Sequence, residues 1–200
     1  MDTSINHIIL RGFLDAKPVY SHENHGRMFY QFPIRVPRLS GAVDLLQVIA
    51  PWEVLEQTEL DERVLEVTGQ IRSFNRRTDA GRRLVISVYA SRLAQTELPP
   101  ENQAELTGTI CKAPVFRRTP LGREICDIML AVNRSYHRSD YIPVILWGRT
   151  AYEVSQLEVG DMLHLTGRLQ SREYQKVLPE GTVRRVAYEV SAIQAEPILA

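Results

Sequence analysis

The chain repeats itself at a distance of 96 residues, the step from Pro18 to Pro114. Pro18-Val19 followed by Gly26-Arg27 returns as Pro114-Val115 followed by Gly122-Arg123, and the offset runs without a gap from Gly12/Gly108 to Arg38/Arg134. Tyr20/Phe116, Phe32/Ile128, Ile34/Leu130 and Val36/Val132 carry it in between. Solenoid units run roughly 20–50 residues. A period this long is the size of a whole small domain, so the repeat predicts duplication of a complete fold. The 200 residues, 44% of them hydrophobic, are enough for two such domains, each with its own core.

Within each half the apolar period is 2. Tyr30, Phe32, Ile34 and Val36 alternate with polar or turn-forming neighbours, as do Cys126, Ile128, Leu130 and Val132. Leu65, Val67 and Ile71, then Leu84, Ile86 and Val88, continue the pattern in the first half. Leu163, Leu165 and Leu169, then Val186, Tyr188 and Val190, do so in the second. Such alternation marks half-buried antiparallel strands. Trp52 to Glu62 and Thr150 to Leu157 break it and read as short helices, the second stopped by Gly160. Each half therefore orders as three strands, a short helix and two strands. That is the order of the five-stranded OB-fold barrel, and it predicts an all-β protein of two tandem OB-folds. Gly69 and Gly167 sit at matching places in the fourth strands, where glycine permits a bend or bulge. The paired prolines of Leu98-Pro99-Pro100-Glu101-Asn102-Gln103 place a linker at 98–103, between a first domain at 1–97 and a second at 104–200.

Charge gives no sign of a partner, since 24 basic residues balance 24 acidic ones. The kind of base says more: only Lys17, Lys112 and Lys176 are lysines, and the other basic residues are arginines. Arginine pairs with phosphate through a planar fork and stacks on rings, although genomic codon bias gives the same composition. Cys111 and Cys126 suit a reducing cytoplasm as buried free thiols, with a cross-strand disulfide as the alternative. Runs such as Tyr141 to Trp147 are too short to cross a bilayer as a helix. The sequence shows no phosphate loop, nucleophile elbow or repeated carboxylate pair, so neither an enzyme nor a cofactor is expected. His22 and His25 have no cysteine or carboxylate cluster around them and read as polar loop residues, so no metal site is expected.

The second half carries several ordered blocks: Leu130-Ala131-Val132-Asn133-Arg134, Asp140-Tyr141-Ile142-Pro143-Val144, Trp147-Gly148-Arg149, and Val159-Gly160-Asp161 leading to Gly167-Arg168-Leu169-Gln170-Ser171-Arg172-Glu173-Tyr174. From about Ala104 to Ile193 it resembles the bacterial single-stranded DNA-binding protein family. The first half is similar only through the repeat and through Ile8-Ile9-Leu10-Arg11-Gly12. The resemblance implies single-stranded DNA wrapped over the barrel, for replication, recombination or repair, with bases stacked on Tyr136, Tyr141, Trp147 and Tyr174. Period 2 independently puts Tyr141 and Trp147, six residues apart, on one strand face, with Ile142, Val144 and Leu146 on the other. Phosphate contacts are expected from Arg134, Arg138, Arg149, Arg172, Lys176, Arg184 and Arg185. The family's four-barrel assemblies imply a homodimer of this two-barrel chain. The family's glycine-rich tail and acidic recruiting tip are expected to be absent, because the chain closes on Gln194 to Ala200 with Glu196 as its one carboxylate side chain.

The first copy departs at these same sites. The counterparts of Tyr136, Tyr141 and Trp147 are Ser40, Leu45 and Pro51, and alternation puts the adjacent Trp52 on the core face. Phe74 is the nearest match to Tyr174, and Arg72, Arg76, Arg77, Arg82 and Arg83 form a basic hairpin around Asp79-Ala80-Gly81. The first barrel is thus expected either to hold phosphates through Arg72, Arg76 and Arg77, with Phe74 stacking, or to serve dimerisation or partner binding. For the chain as a whole the rival is a protein-interaction scaffold in a replication or conjugation complex. RNA is a third possibility, since stacking does not distinguish the sugar.

Overall fold

The computed structural model describes residues 4–61, 63–78, 81–178 and 181–198, with backbone alone at Thr78, Lys176 and Leu178. The first half comprises β1 (Asn6–Leu14), β2 (Val19–Asn24), β3 (Arg27–Pro37), β4 (Val43–Pro51), α1 (Trp52–Leu55), β5 (Val64–Thr78) and β6 (Gly81–Thr96). The second comprises β7 (Glu101–Ile110), β8 (Val115–Arg118), β9 (Glu124–Arg134), β10 (Arg138–Trp147), α2 (Gly148–Val154), β11 (Met162–Leu178) and β12 (Gly181–Ile198).

In each half five strands close into a barrel. In the first, β3, β4, β6, β5 and β1 neighbour one another in that order, and β1 returns to β3. The equivalent ring in the second half is β9, β10, β12, β11 and β7, closed by β7 on β9. These are the two tandem OB-folds that the strand order predicts. Alternation explains their interiors: Phe32, Ile34 and Val36 are buried from β3, and Ile128, Leu130 and Val132 from β9. Gly69 and Gly167 sit where the register slips by a bulge. A Cβ at Gly69 would run into the carbonyl oxygen of Tyr89, and one at Gly167 into that of Ser191, so the bend requires glycine.

Three details differ from the sequence expectation. First, a short strand, β2 or β8, precedes the second barrel strand in each half and pairs only with it. Both strands are almost wholly exposed, so they leave no apolar alternation to read. Second, α1 has a single turn instead of reaching Glu62. Thr58 bonds back to the Val54 carbonyl (3.1 Å) and its amide to that of Leu55 (3.1 Å), a local alternative to helix propagation. Helix α2 runs from Gly148 to Val154 instead of from Thr150 to Leu157. Third, Trp52 is not in the core. The strand ends at Pro51, the helical turn breaks the period of 2, and the indole lies 38% exposed against Tyr30, with ring centres 5.2 Å apart.

The two barrels share one seam. Strand β7 opens at Glu101, so Glu101, Asn102 and Gln103 pair with Arg11, Leu10 and Ile9 of β1. Along this antiparallel seam Ile8 lies opposite Ala104, its own counterpart in the repeat, so the pairing has local two-fold symmetry. Two buried carboxylates reinforce it reciprocally. Asp44 of the first barrel accepts the backbone amide of Ser171 in the second (2.8 Å), and Asp140 of the second accepts that of Ser73 in the first (2.8 Å). In return the Ser171 hydroxyl accepts the Leu45 amide (3.1 Å) and the Ser73 hydroxyl the Tyr141 amide (2.7 Å). Arg38 neutralises Asp44, and Arg72 (3.0 Å) and Arg134 (3.6 Å) neutralise Asp140. Buried charge requires such pairing, because stripping one partner leaves the other uncompensated.

Candidate nucleic-acid interface

Strand β10 shows its two faces as alternation requires except at Ile145, which lies on the outer face yet is buried. Ile142, Val144 and Leu146 are buried, whereas Tyr141 (46% exposed) and Trp147 (39%) stand on the opposite face. The Trp147 indole donates Nε1–H to the Ser191 hydroxyl (3.1 Å), which fixes the ring by its edge. Tyr174, on β11, is 37% exposed, and the Arg172 guanidinium lies 6.0 Å from its ring centre. Tyr136 is the most exposed of the four, at 92%. It occupies the β9–β10 turn with φ of 64°, next to His137 at 51°. A left-handed backbone costs a non-glycine residue roughly 1–2 kcal/mol. Such local strain in a displayed aromatic residue points to a functional role.

The cations divide sharply. Arg72 is consumed by the seam, held between Asp140 and Gln70 and lying over the Tyr89 ring (5.7 Å). Arg134 also leans on Asp140, and its buried Nε finds no hydrogen-bond partner among the described residues. Arg149 pairs with Glu153 one helical turn on, Arg172 with Glu189 (3.5 Å), and Arg184 loosely with Glu173 (3.9 Å). Arg138, Arg76, Arg77 and Arg185 make no ion pair among the described residues. The side chain of Lys176 lies outside the described residues.

Two grooves gather these groups. One, of about 450 Å³, runs beside the β9–β10 turn and is lined by Asn133, Arg134, Tyr136, Arg138 and Arg72. The other, of about 550 Å³, lies between the two long hairpins and takes Arg76, Arg82 and Arg83 from the first barrel, and Tyr174, Arg185 and Tyr188 from the second. The hairpins touch there, Arg83 donating to the Val186 carbonyl (3.3 Å). Burial pushes the Tyr188 phenol above its ordinary pKa, and the charge of Arg83 acts against that rise. Phe74, 44% exposed on β5, does not line this groove.

Sequence reasoning did not find an aromatic set on the first barrel. Tyr20 meets Tyr30 edge-on (6.0 Å), Tyr30 meets Trp52, and His22 stacks on Phe29 at 4.8 Å. Tyr20 and Tyr30 are direct partners across the β2–β3 hairpin, so the signal was present but needed the register to be read.

Residues 101–198 match the model of the Single-strand binding protein family. Single-stranded DNA-binding protein B of Bacillus subtilis is 33% identical over 81 residues, covering 37% of this chain and 72% of that protein. The chain belongs to the single-strand binding protein family. The single-stranded DNA-binding protein of Deinococcus radiodurans is 24% identical over a longer stretch, 84% of this chain and 68% of its own length. The chain spans only 47% of single-stranded DNA-binding protein A of B. subtilis. In three dimensions the wild-type single-stranded DNA binding protein of Thermus aquaticus superposes with a TM-score of 0.79 at 22% identity, covering 98% of this chain and 94% of that one. A deletion mutant of the same Thermus protein reaches 0.80 over the whole of this chain. The family model thus covers the second barrel, while the shared fold extends over both. No helix among the described residues is long and apolar enough to cross a membrane.

Proposed function

We propose that the chain binds single-stranded DNA without sequence preference, by stacking bases on Tyr136, Tyr141, Trp147 and Tyr174 and holding phosphates with arginine, in replication, recombination or repair. The observation that carries this reading is the set of four exposed rings on the outer surface of the second barrel, of which Tyr136 and Tyr174 each line a groove that arginines also line. Every base presents a π-face, so each ring contributes roughly 1–3 kcal/mol whatever the sequence. Four rings together give roughly 4–12 kcal/mol before association costs of about 4–15 kcal/mol are met. Phosphate contacts must therefore supply the remainder. Arg138 and Arg185, free of carboxylates, are the best placed, with Arg134, Arg149, Arg172, Lys176 and Arg184 as further donors. The protein acts as a binder with no catalytic step, divided into barrels at 1–97 and 104–200, and two chains associate to present four barrels.

Titration with oligo-dT against tryptophan fluorescence tests this, using a Trp52→Phe background so that Trp147 is the only reporter. Quenching that weakens as salt rises supports the proposal; no quenching and no gel shift at low salt rejects it. A second reading rests on the first barrel, where Tyr20 and Trp52 are uncovered. There the chain is a protein-interaction scaffold, and a negative titration leaves that reading in place. Sedimentation velocity tests the homodimer.

A further inference from the structure

The groove between the hairpins is built by both barrels, and its lining is one-sided in charge. Arg76, Arg82 and Arg83 come from β5 and β6, Arg185 from β12, and among the described residues no carboxylate lines it. Arg76 and Arg83 face each other across one hairpin, and Tyr174 and Arg185 across the other. Among the described residues none of the four arginines has an acidic partner, whereas the arginines of the seam and of β8 are all paired. Like charges gathered in one cleft repel one another and lower stability unless an anion enters. The walls also offer the exposed ring of Tyr174, the half-buried ring of Tyr188 and the apolar edge of Pro143, so the cleft suits a polyanion that carries flat groups.

We propose that this groove is a composite single-stranded DNA site, in which the base stacked on Tyr174 of the second barrel has its flanking phosphates held by Arg76, Arg82 and Arg83 of the first. The inference rests on the proposed function and extends it. The first barrel lacks the stacking rings of its twin, yet it serves the strand by lending cations to its neighbour's ring, and the strand passes from one barrel to the other between the hairpins. Arg83 is also anchored to the Val186 carbonyl, so the two hairpins are held together at the point where the strand crosses.

The test uses the full chain with oligo-dT at several salt concentrations. Arg76→Ala with Arg82→Ala removes two exposed cations and no side-chain hydrogen bond among the described residues. Each phosphate contact on single strands contributes about 0.7 to the slope of log affinity against log salt. The expected fall in slope is therefore about 1.4, whereas Arg92→Ala with Arg123→Ala, two equally exposed arginines away from the groove, leaves it unchanged. Tyr174→Ala is expected to be non-additive with the arginine pair, the combined variant losing less than the product of the separate losses. An unchanged slope in the arginine pair, or strict additivity with Tyr174→Ala, overturns the composite site while the parent chain still binds. Equal competition by polyglutamate, insensitive to Tyr174→Ala, overturns it in favour of an acidic protein segment. A parent chain that binds no oligo-dT overturns the functional reading itself.

Discussion

The two barrels agree where they touch each other and differ where they meet the outside. Asp44 and Asp140 are counterparts, as are Ser73 and Ser171, and these make the same bonds across the seam, whereas Arg38 hydrogen-bonds its aspartate and Arg134 only approaches its own at 3.6 Å. Asn6 and Asn102 likewise bond both to the carbonyl and to the amide of Ile71 and Leu169 in their respective barrels. On the outer face, by contrast, Tyr141 corresponds to Leu45, Trp147 to Pro51 and Tyr136 to Ser40. The physical reason is that every seam residue has a partner that suffers if it changes. An exposed ring has few partners within the fold, so the fold tolerates its replacement in one copy.

This comparison can be broken in four places. Tyr141→Ala with Trp147→Ala should cost roughly 2–6 kcal/mol of oligo-dT binding, at about 1–3 per stacked base, with the circular dichroism of the fold retained. Leu45→Ala in the first barrel should leave binding unchanged, and an equal loss there would erase the division of labour. Asp140→Ala and Asp44→Ala should each lower stability by about 3–5 kcal/mol in urea unfolding, since each leaves arginine unpaired in the seam. The two losses should be alike, and a large inequality would mean that the symmetry is only geometric. Tyr136→Gly should raise stability by about 1 kcal/mol by relieving the left-handed backbone, while weakening binding; a stability gain with full binding retained would remove Tyr136 from the interface. The smallest effect concerns Cys126, which is buried where the first barrel has the partly exposed Tyr30. Burial, helped by Asp127, pushes its pKa up to about 11. Below that pH the thiol stays protonated, so it should resist alkylation at pH 8 until the chain unfolds; ready labelling in the native state would show the second barrel to be loosely packed.

Much of this architecture can be read from the residues because it follows from local periodicity. Phe32, Ile34 and Val36 announce a strand by themselves, and the break in alternation after the following strand, at Trp52, announces a helix. The opposite faces of Tyr141 and Ile142 follow from the same rule. Trp52 defeats that rule because one turn of helix follows Pro51 directly, and the β2 and β8 strands defeat it because nothing covers them. Asp44 and Asp140 look like ordinary surface acids in sequence. Only pairing β1 with β7 brings each to a serine more than 60 positions away. Arg72 is the sharpest instance: it reads as one of five basic residues on a hairpin, yet it is spent on Asp140, while its neighbours Arg76, Arg82 and Arg83 line the groove with no acidic partner among the described residues.

The opposition of Ile8 and Ala104 has an evolutionary and a kinetic meaning. A patch that pairs with its own image is how a two-fold dimer of separate chains is built. Joining the copies end to end turns that encounter into an intramolecular one, with an effective concentration that reaches the millimolar range for short flexible tethers. The barrel pair should therefore persist at dilutions where separate subunits would part. Because each strand is now encoded once, the two sides of a formerly identical contact can be tuned independently.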